Sequence, residues 1–360
     1  MKTEVYTIAQ LKNYIDSPIY RESGILPVSP ERVASYIRNP RARPDLPVLF
    51  LLHDDEEIIA YRSLLPDYFI SDNGPVPFAW LSGNYVSPKH RRKGLSTLLF
   101  KRVEEAWDGK LMYTNYAPES KAVYDKLNAF DLFRERPGRR YYLRSSLRVL
   151  LGGRIKSTGL LEFGDKLINS IHDPGLRVDQ FRIPEGITAE QKEVLDPGLK
   201  EFISGQAAAS LFRRGPEEFR WIREWPWVSE KPLISLEGTY QFSREVEKFR
   251  SKIFELKSNK GTAFLWITII NSKAAVPYFF TDDPLLTIAA RQLVLKEMIS
   301  EACSYLTIRH PELGPVMGTR KNPFLFSRSM PQRYFCHKSL KNSIHEELQI
   351  HDGDGDCIFS

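Results

Sequence analysis

The hydrophobic pattern of this chain changes its period at Gly94. Before that glycine, residues 48–54, 56–69 and 78–88 have the short apolar runs of three β-strands. After it, apolar side chains recur on one face of a helix, at Leu95, Leu98, Leu99, Val103, Ala106 and Trp107. The sequence therefore predicts a turn at Gly94 that leads from a strand directly into an amphipathic helix.

The alternation continues after this helix. A strand, a short helix and a closing strand are predicted at residues 110–116, 120–128 and 139–147. Residues 45–147 thus predict the order β-β-β-α-β-α-β, which is a mixed α/β sheet with helices packed against it.

The length of 360 residues indicates two domains or one large one. Residues 148–217 contain repeated turn signals and predict a connector with short helices. Residues 218–360 predict strand, strand, helix and strand, followed by late strands that include 332–340 and 356–360. This order echoes the first half, so we predict domains at 1–147 and 218–360, the second a degenerate copy of the first.

Charge and composition exclude several classes of protein. The formal net charge is +6, with 51 basic and 45 acidic residues, which permits an anionic ligand but argues against nucleic acid as a partner. Three cysteines provide no disulfide framework, and no His or Cys spacing predicts a metal site. The longest apolar run, 262–270, is too short for a membrane helix, and we expect a cytoplasmic protein.

Two other segments have ordinary structural interpretations. The tryptophans Trp221, Trp225 and Trp227 are more typical of a core than of a ligand platform. The stretch HDGDGDC, residues 351–357, alternates aspartates like a calcium loop but lacks the later glutamate, so it predicts a turn before a final strand.

The turn that starts at Arg91 has the chemistry of an anion site. Free backbone N–H groups and the positive end of the helix dipole lie at the start of a helix. Gly94 allows a phosphate to approach the backbone, while Ser96 and Thr97 are small and add hydroxyl donors. Arg91, Arg92 and Lys93 add positive charge at the rim, although a run of charges is also typical of a solvated loop.

These residues resemble a known family. The stretch YVSPKHRRKGLSTLLFKRV is similar to the acetyl-coenzyme A (acetyl-CoA) dependent N-acyltransferases of the GNAT family, whose hallmark is Arg/Gln-x-x-Gly-x-Gly/Ala between a strand and a helix. Residues 91–96 match it, with Ser96 in place of Gly/Ala. A second resemblance lies in residues 116–130, where Tyr124, Lys126 and Leu127 match a later helix of the family and Asn128 replaces its glycine.

The resemblance implies a reaction and a set of roles. An acyl group, expected to be acetyl from acetyl-CoA, would pass to a primary amine of a small molecule by direct attack. Backbone groups at Tyr85 and Val86 would face the acyl carbonyl, Tyr124 would protonate the leaving thiolate, and Asn84 is a further catalytic candidate. The pyrophosphate and the rest of CoA would contact Arg91, Arg92, Lys93, Gly94, Leu95, Ser96, Thr97 and Asn115.

The general base is not identifiable from the resemblance. Asn84, Tyr85, Ser82 and Glu119 are each able to hold a relay water. In the second half, TDDPLL occupies the place of the glycine turn, and its carboxylates would repel a pyrophosphate. We therefore expect only the first half to bind acyl-CoA.

Two alternatives to an N-acyltransferase remain open from the sequence. The chain would be a non-catalytic acyl-CoA-binding or interaction protein if Tyr124 had no catalytic role. It also has some similarity to transferases of doubled GNAT fold that use aminoacyl-tRNA, a class that the intact CoA turn argues against. The acyl acceptor and the oligomeric state are not encoded in any pattern that we recognise.

Overall fold

The computed structural model describes residues 1–114, 118–151, 158–233, 238–319 and 322–359. Its strands, in chain order, are β1 (Lys2–Thr7), β2 (Ile25–Leu26), β3 (Pro47–Asp54), β4 (Glu57–Ser71), β5 (Gly74–Val86), β6 (Leu111–Tyr113), β7 (Phe130–Arg136), β8 (Arg139–Tyr142), β9 (Thr188–Gln191), β10 (Thr239–Tyr240), β11 (Phe249–Lys257), β12 (Thr262–Ile270), β13 (Lys273–Thr281), β14 (Tyr305–Ile308), β15 (Phe326–Ser329) and β16 (Gln332–His337).

The helices alternate with these strands. They are α1 (Ile8–Asp16), α2 (Pro18–Arg21), α3 (Pro30–Ile37), α4 (Leu95–Ala106), α5 (Pro118–Leu127), α6 (Leu147–Leu151), α7 (Thr158–His172), α8 (Pro197–Ala207), α9 (Pro216–Glu224), α10 (Leu285–Ser300) and α11 (Leu313–Met317). None of the helices in the described part of the chain combines the length and apolar character needed to cross a bilayer.

Two seven-stranded sheets organise the molecule, and their strands follow the same plan. The first has the order β1-β3-β4-β5-β6-β16-β7, and the second β9-β11-β12-β13-β14-β8-β15. In each sheet, one parallel pair, β5–β6 or β13–β14, interrupts an otherwise antiparallel arrangement. A helix, α4 or α10, connects the two strands of that pair. The fold is therefore mixed α/β with two similar halves, as the sequence predicts.

The two halves exchange a strand. β16, from the end of the chain, lies between β6 and β7 in the first sheet, where Phe335 pairs with Tyr113 and with Leu132. β8, from the first half, lies between β14 and β15 in the second sheet. The prediction that residues 139–147 close the first sheet is therefore wrong: the strand is β8, it ends at Tyr142, and it belongs to the other sheet.

Three cores hold these layers together. One lies between the first sheet and α4, and a second packs against α10. The third joins the two halves, because it contains Trp80 from the first sheet, Trp266 from the second, and Trp221 and Trp227 from between them. The tryptophans at 221 and 227 are thus core residues, as predicted.

The end of the chain differs from its prediction. Residues 356–360 predict a strand, whereas Cys357–Phe359 form a short 3-10 turn. The ring of Phe359 stacks on Trp227 with 4.5 Å between centroids, so packing into the shared core replaces strand pairing. β16 likewise ends at His337, earlier than predicted, and a 3-10 helix follows it. β9, inside the predicted connector, forms an edge of the second sheet.

Candidate active site

The turn between β5 and α4 presents its backbone outward. Gly94 is the N-cap of α4 and has φ of 79°, in the left-handed region that favours glycine, and Arg92 has φ of 64°. A Cβ added at Gly94 would meet no atom within 4 Å, so the space above the turn is open. In the described structure, no group accepts a hydrogen bond from the backbone N–H groups of Leu95–Thr97. The turn can therefore bind an anion through the backbone.

The basic side chains surround this turn without covering it. Lys89, Arg91, Arg92 and Lys93 are exposed, and Arg91 Nε donates to the carbonyl of Val86 at 3.2 Å. His90 lies 3.8 Å from the carboxylate of Asp54. The four exposed lysine and arginine side chains raise the local positive potential, whereas the N–H groups supply the directed contacts.

The first sheet opens beside the turn. β5 and β6 pair only at Ala79 with Leu111 and at Trp80 with Met112. β5 then continues to Val86, while β6 ends at Tyr113. Within the residues that the structure describes, the edge of β5 from Leu81 to Val86 has no strand beside it, and we call this space the β5–β6 opening. Asn115, the predicted amide contact to CoA, lies outside the described residues.

A β-bulge in β5 sorts its side chains onto two faces. Ser63 of β4 pairs with Gly83 and Leu64 pairs with Leu81, which leaves Ser82 as the extra residue. Trp80 and Tyr85 contact the core that joins the two halves, whereas Leu81 and Val86 contact the core beneath α4. Ser82 and Gly83 consequently lie on the same face as Tyr85.

The predicted residues Asn84 and Tyr85 are adjacent but point to opposite faces. Asn84 Nδ2 donates to Ser96 Oγ at 3.3 Å, on the α4 side, and Asn84 Oδ1 is buried without a partner among the described residues. Tyr85 stacks on Tyr61 with 5.2 Å between ring centroids. One strand therefore presents a polar group to the turn at residues 91–97, which we call the anion turn, and an aromatic ring to the other face.

Tyr124 reaches the same place from α5. It is 7% exposed, and its ring stacks on Tyr113 at the end of β6 with 4.5 Å between centroids. Its hydroxyl oxygen accepts a hydrogen bond from Arg62 Nη1 at 2.9 Å. Because the oxygen accepts from Arg62, the hydroxyl proton remains available to a second partner. The structure thus brings Tyr124, Asn84 and Ser96 together around one guanidinium.

Arg62 carries no signal in the sequence, where it is one polar residue within a strand. It is 1% exposed, and Nη2 lies 3.4 Å from Ser96 Oγ, while Nε has no partner in the described structure. No carboxylate of the described residues forms an ion pair with it. A buried cation without a counterion is costly, so the site favours binding of an anion.

The other face of β5 contains a carboxylate that sequence reasoning also missed. Ser82 Oγ donates to Asp356 Oδ2 at 2.5 Å, across 274 residues of chain. Burial raises the pKa of the half-buried Asp356 carboxyl, although Ser82 and the more distant Arg32 and Arg214 oppose this effect. The signal for this residue was the stretch HDGDGDC, which the sequence presents only as a turn.

The three aspartates of that stretch bind different elements of the protein. Asp352 forms an ion pair with Arg136 at 2.6 Å, and Asp354 accepts from the Tyr278 hydroxyl at 2.9 Å. Asp356 contacts Ser82. No set of three His, Cys, Asp or Glu side chains in the described residues converges on a common metal position. The segment Asp352–Phe359, which we call the acidic segment, therefore acts through protein contacts.

Residues 17–129 match the family model described as the Acetyltransferase (GNAT) family. This segment is a GNAT domain. The match contains β4, β5, the anion turn and α4, together with the helix that carries Tyr124. It supports acyl transfer as the general chemistry of the domain. No curated protein sequence is significantly similar to this chain.

Solved structures agree on the fold. A GCN5-related N-acetyltransferase from Anabaena variabilis superposes with a TM-score of 0.51 at 9% identity, covering 93% of this chain and 72% of its own. N-myristoyltransferase of Saccharomyces cerevisiae, solved with bound myristoyl-CoA, superposes with a TM-score of 0.50 at 11% identity, covering 93% and 78%. Both matches extend over the two halves, so the GNAT-like fold is not limited to the first.

In the second GNAT-like half, the protein's own side chains fill the positions that correspond to the anion turn and the β5–β6 opening. At the start of α10, Asp283 Oδ1 accepts from the N–H of Leu285 at 3.0 Å, and Asp282 Oδ1 accepts from that of Thr262 at 2.7 Å. His310, which follows β14, contacts the carbonyl of Phe279 in β13 at 3.0 Å. Carboxylates thus occupy the helix start, and an imidazole bridges the two parallel strands.

Proposed function

We propose that this chain is an N-acyltransferase that moves an acetyl group from acetyl-CoA to a primary amine of a small molecule. The observation that carries the proposal is the open N–H turn at Gly94 beside the β5–β6 opening. A pyrophosphate held by the turn would direct the rest of CoA along the unpaired edge of β5. The acyl carbonyl would then lie near the backbone of Tyr85 and Val86.

The proposed roles follow from this placement. N–H groups of Arg92–Thr97 bind the pyrophosphate, and the rim cations, including Arg91, increase its rate of capture. Tyr124 donates its free proton to the leaving thiolate, with Arg62 stabilising the negative charge that remains. Asn84 and Ser96 hydrogen-bond each other and connect Arg62 to the turn. Asn115 stays a proposed contact to CoA.

We also propose that the two halves have different roles. Residues 1–147, with β16 completing their sheet, form the acyl-CoA-binding catalytic domain, and 218–360 form a degenerate domain that shapes the acceptor site. The carboxylates of Asp282 and Asp283 at the start of α10 support this asymmetry, because they would repel a pyrophosphate.

Two measurements test the proposed function. Calorimetry with CoA, acetyl-CoA and myristoyl-CoA gives affinity and acyl-chain preference, and we expect acetyl-CoA to bind at a single site. Release of free thiol is then followed with amino acids, amino sugars and polyamines, against a reaction without amine. Amine-dependent release supports the proposal. Binding of acetyl-CoA without release in any mixture would indicate a non-catalytic acyl-CoA-binding protein instead.

A further inference from the structure

The acidic segment contacts the first sheet on the face opposite to Tyr124. Its Asp356 carboxylate accepts the 2.5 Å hydrogen bond from Ser82, the extra residue of the β5 bulge. We propose that Asp356 is the proton acceptor for the amine substrate, supplied to the first domain by the end of the second half. This inference rests on the proposed acyl transfer.

The bulge gives Asp356 the position that a base needs. Ser82 and Gly83 lie on one face of β5, while Asn84, hydrogen-bonded to Ser96 near Tyr124, lies on the other. A thioester placed along this edge has the acid on one face and Asp356 on the other. An amine that enters beside Asp356 reaches the acyl carbon without passing the phosphates.

The surroundings of Asp356 suit an ammonium group. Tyr61 and Tyr85 stack on this face, and the ring of Phe242 lies 3.4 Å from the position of a Cβ on Gly83. Electron-rich rings attract a cation, which a neighbouring carboxylate holds in place. The hydroxyls of Tyr61 and Ser63 are buried without partners among the described residues, so this face also has unsatisfied polar groups.

The fold holds the acidic segment in one conformation. Arg214 Nη1 donates to the carbonyls of Gly353 at 2.8 Å and Gly355 at 3.1 Å. A Cβ on Gly353 would clash with the Tyr278 ring, and Gly355 has φ of 101°. The alternation of glycine and aspartate is thus a requirement of this backbone, and it places Asp356 against Ser82.

Asp356 differs from its neighbours in electrostatic environment. Asp352 has an ion-pair partner, whereas no cation of the described residues forms an ion pair with Asp356. Arg32 and Tyr36 of α3 and Arg214 face it at longer range. Burial raises the pKa of the Asp356 carboxyl, which brings the group closer to the range in which it accepts and releases protons at working pH.

The chemistry balances without a further reactant. Asp356 takes one proton from the ammonium, and the neutral amine forms a C–N bond with the acyl carbon while the C–S bond breaks. The sulfur keeps the bonding pair and takes a proton from Tyr124, which is restored by the second proton of the amine nitrogen. Asp356 then releases its proton to water, leaving an amide and free CoA.

The test compares Asp356→Asn with Glu346→Gln, which neutralises an exposed carboxylate ten positions earlier in the chain. Asparagine can still accept from Ser82, so the segment stays in place. We expect the affinity for acetyl-CoA and the midpoint of thermal unfolding to change little. The value of kcat for thiol release should fall about 10²–10⁴-fold, as for loss of a general base. Raising the pH should restore part of it, because more of the amine is then already neutral.

Three results would overturn the inference. Wild-type kcat and pH profile in Asp356→Asn would show that the carboxylate takes no proton. Equal losses of acetyl-CoA binding and thermal stability, without recovery at high pH, would assign Asp356 a structural role. A wild-type chain that binds acetyl-CoA but releases no thiol with any amine would overturn the proposed function and this inference together.

Discussion

Arg62 Nη1 donates a 2.9 Å hydrogen bond to the hydroxyl oxygen of Tyr124. The guanidinium is 1% exposed and forms no ion pair within the part of the chain that the structure describes. It lies under the start of α4, next to free N–H groups that also attract anions. Positive charge therefore accumulates at a place where no carboxylate of the described residues forms an ion pair with the guanidinium.

The first prediction concerns the cost of this charge. In the free protein, Arg62→Met should leave the unfolding midpoint equal or higher, because an uncompensated buried cation is replaced by an apolar side chain. The increase in midpoint caused by saturating acetyl-CoA should become smaller. Thermal unfolding with and without the ligand measures both. A clearly lower midpoint in the free protein would show that Arg62 is a structural residue.

The second prediction tests Tyr124 as the proton donor to the leaving thiolate, with the variant Tyr124→Phe. It removes only the hydroxyl, so affinity for acetyl-CoA should stay within about threefold while kcat falls by about 10²-fold or more. The effect should be larger for amines of low reactivity, whose reaction depends most on departure of the thiolate. Unchanged kcat would remove Tyr124 from the mechanism.

The third prediction separates the backbone of the anion turn from its charges. Gly94→Glu should abolish acetyl-CoA binding, since it places a carboxylate where the phosphates lie and forces a side chain onto φ of 79°. Lys89→Ala should cost less than tenfold, because Lys89 is an exposed side chain at the rim.

Gly94→Ala separates the two effects of Gly94→Glu, which are the added negative charge and the backbone strain. Its methyl group meets no protein atom within 4 Å, so the variant reports the strain of the left-handed backbone, about 1 kcal/mol. Calorimetry on the three variants makes the comparison. If Gly94→Glu binds normally and Lys89→Ala does not, the charged surface is the binding determinant.

The fourth prediction follows from the exchanged strands. A fragment of residues 1–147 lacks β16, which hydrogen-bonds both β6 and β7. We expect it to aggregate or remain unfolded, because the sheet is interrupted and unpaired edges associate. Gel filtration and circular dichroism of the fragment, compared with the full chain, measure this. A soluble monomer with a cooperative thermal transition would contradict it.

The last prediction concerns acid stability. Burial lowers the pKa of His351 to about 3 and that of His310 to about 4. His310 Nδ1 accepts from the N–H groups of Glu312 and Leu313, which requires the unprotonated nitrogen. Below about pH 6.5, the two histidines of the unfolded chain bind protons that those of the folded chain do not. Stability should therefore fall as pH decreases from about 6.5 to 4, by about 1.4 kcal/mol per pH unit for each histidine.

Denaturant titrations at a series of pH values measure this slope. His351→Gln keeps a partner for Ser210, which now lies 2.7 Å from the imidazole Nε2, and should make the slope shallower. His345→Gln, at a more exposed position, controls for the replacement of an imidazole by an amide. Equal slopes in wild type and His351→Gln would show that His351 does not titrate in this way.

Local features explain why parts of this protein were predictable. The change of period at Gly94, the helix after it and the motif at residues 91–96 depend on neighbours in sequence, and the structure has the turn and helix there. The repeated strand order of the two halves was also predictable, because the second half retains the hydrophobic periodicity although it lacks the glycine motif. The prediction of a final strand at 356–360 was wrong because Phe359 is buried by ring packing on Trp227 instead of by strand pairing.

Local residue patterns are sufficient to predict a strand–turn–helix unit suited to an anion, two halves of similar strand order, and an asymmetry between Gly94 and the acidic Asp282-Asp283. The sheet that takes β8 or β16, the contact of Arg62 with Tyr124 and the contact of Asp356 with Ser82 all depend on long-range packing. Those contacts join residues 62 and 274 positions apart, and many pairings of that range are compatible with the same local pattern. They are selected by the shared core, which buries both halves at once and so fixes which distant residues become neighbours.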